Sequence, residues 1–132
     1  MNYHQKEHKD LGLDARWLDN EHAKHAYDCA LRFCSNQKYG LNPNKVSNIE
    51  KLIIESYSVA DNWLKGKFNN NGTVQIVYSE NEVCVVPAQD FVNNWRVIFV
   101  PSRDDAIVLH NLDDSVLFYC HEEELEIGHR NA

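Results

Sequence analysis

Apolar positions recur with two different periods along this chain, and the change falls near Gly66. From Asp19 to Gln37, the residues Ala23, Ala26, Tyr27, Ala30, Phe33 and Cys34 follow one another at spacings that make one helical face. Asp19 or Asn20 supplies the N-cap and Glu21 an acid in the first turn, where the helix dipole favours it. Gly40 and Pro43 stop this helix. A second helix is predicted from about Asn44 to Lys65, with Val46, Ile49, Ile53, Tyr57, Ala60 and Leu64 on one face. Leu52, Val59 and Trp63 widen that face. Two starts compete for it: Asn42-Pro43, with proline at the first helical position, and the capping-box sequence Ser47-Asn48-Ile49-Glu50. With so short a joint between them, the two helices are expected to pack as an antiparallel pair.

After the turn Asn69-Asn70-Asn71-Gly72 the pattern becomes strand-like. Strands are predicted at Thr73 to Ser79, Glu82 to Val86, Trp95 to Val100, Ala106 to His110 and Ser115 to His121, all rich in β-branched and aromatic residues. Glu124 to His129 offers a short sixth, and Pro87 to Asn94 reads as a link with a helical turn near Phe91. Residues 1–18 are polar but end in Leu11, Leu13, Trp17 and Leu18, which can dock on the body. Helices first and strands second make the expected fold a single α+β domain over residues 1–132. In it, the N-terminal antiparallel helix pair packs on a C-terminal five-stranded, or six-stranded, antiparallel β-meander. One feature resists this plan: WRVIFV, AIVLH and VLFYC are apolar on both alternating faces, so both sheet faces need cover. A helix pair covers one. The other falls to residues 1–18, to curling of the sheet, or to another chain, with a homodimer through the apolar sheet face as one form of that.

Composition narrows the class without naming it. Of 132 residues, 43% are hydrophobic and 25% charged, with 5 Gly and 3 Pro, which excludes disorder and low-complexity architectures. No apolar run approaches the roughly 18 residues of a membrane span, and the first ten residues hold no apolar signal core. A net charge of −7 disfavours binding of nucleic acid through phosphate contacts. Cys29, Cys34, Cys84 and Cys120 show no C-x-x-C spacing, so free thiols in a reducing cytoplasm are expected, with no cofactor or structural metal.

The charge is unevenly spread. Residues 1–67 carry ten basic and nine acidic side chains, residues 68–132 only three basic against eleven acidic, and no lysine follows Lys67. In an up-and-down meander alternate turns fall at the same end of the sheet. That brings Glu80 and Glu82, Asp104 and Asp105, and Glu122, Glu123 and Glu124 to one rim, with Arg103 as the nearby cation. Asp113 and Asp114 fall at the opposite end.

Sites of chemistry are harder to find. His22, His25 and Cys29 share one flank of the first helix and form a metal-ligand trio that lacks a matching second pair. His4 and His8 lie one turn apart in the polar N-terminus. Cys120 and His121 are neighbours on a strand and should point to opposite faces, which excludes a nucleophile–base couple. No phosphate-binding glycine loop, G-x-S-x-G, H-E-x-x-H or EF-hand loop is present. The resulting expectation is a non-enzymatic acidic binding protein of bacterial type. Its most specific form is an immunity-type inhibitor whose seven rim carboxylates cover the active site of a basic toxin, such as a nuclease. The rival is a small enzyme or ligand-binding module with a pocket between curved sheet and helices, using His110 and His121 as acid–base residues.

Overall fold

The structure, a computed structural model, describes residues 3–35 and 40–131. In chain order its elements are α1 (Tyr3–Asp10), β1 (Arg16–Trp17), α2 (Asn20–Ala30) running into a 3-10 turn (Leu31–Phe33), β2 (Val46–Ile53) and α3 (Tyr57–Lys67). There follow β3 (Thr73–Ser79), β4 (Glu82–Pro87), α4 (Ala88–Ile98), β5 (Ala106–His110), β6 (Ser115–Cys120) and β7 (Glu124–Arg130). Every strand pairing is antiparallel, in a single sheet of order β1-β4-β3-β5-β6-β7-β2. This replaces the expected helix pair on a five- or six-stranded meander. Helices and strands alternate, and both edge strands come from the N-terminal half.

Two misread segments account for most of the difference. The predicted second helix is β2 followed by α3. Its helix-like spacing arises from a bulge: between Ser47 and Glu50, β2 advances three residues while β7 advances two, from His129 to Ile127. The extra residue, with Asn48 at φ 54°, brings Val46 and Ile49 to one face although they are three apart. Gly128 of β7 accommodates the bulge, since a Cβ there would lie 2.4 Å from Val46 Cγ1 and 3.0 Å from the Ser47 carbonyl oxygen. The predicted strand Trp95 to Val100 belongs instead to α4. Ala88, Phe91, Val92, Trp95 and Ile98 are all buried at helical spacing, a period that outweighs the strand-like composition.

The first helix is as read at its start: the Asp19 side chain caps it by accepting from the His22 N–H at 2.9 Å. The expected continuation to Gln37 lies partly outside the described residues, but α2 itself gives way to the 3-10 turn after Ala30.

The unclaimed sheet face now has an occupant. On one side α3 and α4 pack Leu64, Phe91, Trp95 and Ile98 against Val74, Ile76, Val108, Leu117 and Tyr119. On the other, Ala23, Ala26 and Ala30 of α2 lie on Val77, Val83, Ile107, Val116 and Phe118. The alternating strand positions therefore divide between two cores, and the apolar runs are explained by three layers of secondary structure. Alanines on the contact face let α2 sit close to the sheet. The face assigned to a homodimer contact is occupied by the chain's own helix. No helix of the described residues is long and apolar enough to cross a membrane.

Candidate functional site

One end of the sheet collects the close of β3, the start of β4, the start of β5, the close of β6 and the start of β7. The hairpin geometry therefore does bring Glu80, Glu82, Asp104, Asp105, Glu122, Glu123 and Glu124 to a single end. They do not form a free rim. Glu82 and Asp104 flank His4, whose Nδ1 meets Glu82 Oε2 and whose Nε2 lies 2.9 Å from Asp104 Oδ1. Asp105 Oδ1 accepts from the His121 main-chain N–H at 2.9 Å and lies 2.8 Å from His121 Nδ1. Tyr57 donates its hydroxyl to Glu123 at 2.8 Å, and Lys51 pairs with Glu124 at 2.9 Å. Only Glu80 and Glu122 stay largely in water, Glu122 standing 4.0 Å from His121 Nε2.

The most ordered part of this end is a network the N-terminus supplies. Asp104 is buried, and its carboxylate accepts from the Val100 N–H at 2.8 Å, from Arg103 Nε at 2.9 Å and from a terminal Arg103 nitrogen at 2.8 Å. Arg103 also forks onto both oxygens of Glu7, at 2.9 and 3.0 Å. With carboxylates facing both ring nitrogens, His4 is an imidazolium. Burial works against that charge, but the bonds to Asp104 and Glu82 outweigh it and raise the His4 pKa. Burial likewise opposes ionisation of Asp104, and the donors from His4, Arg103 and Val100 bring its pKa down to about 2. The cationic ring stacks on Tyr78, with centroids 3.8 Å apart.

One turn further along α1, His8 has the opposite character. It is buried, with Nε2 2.7 Å from the Tyr78 hydroxyl and Nδ1 without a hydrogen-bond partner. Burial, followed by the positive charge on His4, lowers its pKa to about 4. His4, Glu7 and His8 were absent from the sequence-derived site. Their spacing of three and four on one helical face was the available signal, masked by the polarity of the segment.

The other candidates separate. His110 lies at the far end of the sheet from His121, fully buried, with Nε2 2.9 Å from the Asn69 carbonyl and Nδ1 accepting the Leu112 N–H at 3.0 Å. The two histidines cannot serve one acid–base site. The helix-borne trio does not converge either: His22 turns to Asp19 at 2.7 Å, while His25 Nε2 lies 3.8 Å from Cys29 Sγ. Cys120 and His121, expected on opposite faces, do approach each other, because β6 ends at Cys120 and His121 begins the turn. Comparison with protein-family models, curated proteins and solved structures gave no match. What the chain does must therefore be read from its own surfaces. Beside the acidic end, a cleft of about 400 Å³ opens on the α2 side, with Tyr27, Cys34, Ser79, Arg103 and Asp105 in its wall. In that wall, burial raises the Cys34 thiol to about 11, helped by the nearby charges of Glu126 and Asp105. It is therefore a poor nucleophile at neutral pH.

Proposed function

We propose that this chain is a binding protein that receives a cationic macromolecule on the acidic end of its sheet. The observation that carries this reading is the charge balance there. Eight carboxylates gather, the seven named above together with Glu7, and the lysine and arginine side chains ion-paired to them among the described residues are Lys51 and Arg103. Even with His4 and His121 protonated, negative charge prevails. Such a field raises the encounter rate with a basic surface and is weakened by salt. The internal pairs change the roles of the carboxylates. Asp104 and Glu82 shape the end from within, whereas Glu80 and Glu122 meet the partner first.

In its most specific form the reading is an immunity-type inhibitor, acting in the cytoplasm, that covers the active site of a basic bacterial toxin such as a nuclease. Carboxylates would then stand where phosphates of the toxin's substrate sit. The test is affinity capture with the full chain at low and high salt, followed by stopped-flow mixing with the recovered partner. Glu80→Lys combined with Glu122→Lys should slow association and flatten its salt dependence. Association rates equal to those of the unaltered chain at every salt concentration overturn the reading.

A further inference from the structure

The turn between β6 and β7 joins acids of the docking end to an imidazole and to a thiol that the docking reading does not use. Asp105, Cys120 and His121 each offer one ligand atom, and those three atoms all lie within 4.8 Å of one another. A second set, Cys120, Glu122 and Glu124, meets the same criterion and shares the sulfur. Four side chains with oxygen and nitrogen donors thus surround one thiol.

We propose that Asp105, Cys120 and His121 bind a zinc-class divalent metal ion, with a fourth position open to Glu122 or water. Donor chemistry selects the class: calcium and magnesium take oxygen ligands, whereas a thiolate with an imidazole and a carboxylate suits zinc or cobalt. Tetrahedral zinc places neighbouring donors roughly 3.3–3.7 Å apart, so an ion would replace the 2.8 Å contact between Asp105 Oδ1 and His121 Nδ1 and draw both groups onto itself. The side chains able to move are the partly exposed ones, with Asp105 at 33% and His121 at 30% exposure. Cys120 is 3% exposed and fixed in β6, which makes the sulfur the anchor.

Two features prepare the site. The His121 main-chain N–H holds Asp105 Oδ1, so the carboxylate and the imidazole are already on the same side of the turn. Asp105 also stands in the wall of the open cleft, which gives an ion a route from solvent. The surrounding acid excess raises the local concentration of divalent cations. This inference stands independently of any macromolecular partner.

The test uses the reduced full-length chain, stripped with EDTA and titrated with Co²⁺, then with Zn²⁺. Binding of one Co²⁺ per chain should produce a thiolate-to-cobalt charge-transfer absorption that Zn²⁺ abolishes. Cys120→Ser should remove that absorption, and His121→Ala should weaken Co²⁺ binding by about tenfold or more. Cys29→Ser should leave both unchanged. If Cys120→Ser fails to fold, as judged by circular dichroism, the partly exposed His121→Ala variant decides. The inference is overturned by the absence of a charge-transfer band, by its persistence in folded Cys120→Ser, by unaltered affinity in His121→Ala, or by its loss in Cys29→Ser.

Discussion

Replacing Asp104 with alanine removes the acceptor on which the ordered part of the acidic end depends. Four donor groups lose a partner: the Val100 N–H, Arg103 Nε and a terminal nitrogen, and His4 Nε2. They do not suffer equally. Arg103 keeps both bonds to Glu7 and is 31% exposed, so water and Glu7 take up much of its loss. His4 keeps Glu82 and can release its proton. The part-buried Val100 N–H bonds to Asp104 Oδ2, and a donor left unmet there costs about 1–3 kcal/mol. Adding the lost charge-assisted bonds brings the expected destabilisation to about 3 kcal/mol, near the lower end of the range for breaking a buried ion pair. With a urea m-value of about 2 kcal/mol/M, the midpoint should fall by roughly 1.5 M. Equilibrium unfolding followed by tryptophan fluorescence measures it, since Trp17 lies against His8 of α1 and Trp95 is buried in α4. A midpoint change below about 0.5 M, with the m-value unchanged, refutes the assignment of Asp104 as the hub of this network.

The same network predicts a pH dependence of stability. Asp104, depressed from 3.8 to about 2, contributes fully above its unfolded value and loses that contribution as pH falls through about 2. His4 is raised above 6.5, so its contribution is fully present below 6.5 and disappears as pH rises through the folded value. His8, lowered to about 4, opposes it, because protonation penalises the fold as pH falls from 6.5 toward 4. Subtracting the stability–pH curve of His4→Gln from that of the unaltered chain should isolate a decline above pH 6.5; a flat difference contradicts the doubly bonded imidazolium. Gly128→Ala should cost about 2 kcal/mol by forcing the β2 bulge off β7, lowering the melting temperature by roughly 8 °C. A fall of less than about 2 °C means the bulge yields without strain.

Periodicity and composition located most of the sheet. β3 and β5 have the bounds their alternation predicted, and the N-cap of α2 is the expected Asp19. β2 was illegible for a specific reason: one inserted residue shifts the phase of alternation, so that Val46 and Ile49 mimic a helical face. In α4 the error ran the other way, with Trp95, Val97, Ile98, Phe99 and Val100 weighed by strand-forming composition although the buried positions keep a helical period. Hairpin topology sufficed to bring the acids together, because adjacent antiparallel strands must reverse at alternate ends. Their partners were invisible. His4, Lys51 and Tyr57 come from 66 to 100 positions away, and such pairings exist only after the layers assemble.

The place of β2 has a consequence for how the molecule comes into being. This strand is synthesised long before the sheet neighbour to which it bonds, β7, with six other elements of the fold between them in the chain. On the ribosome, β2 would wait with Ile49 and Leu52 lacking their final setting until residues 124–130 emerge. Closure is therefore a late, long-range event. A premature stop before Glu124 deprives the body of two strands at once, and the nascent chain stays open to aggregation and proteolysis until β7 has emerged.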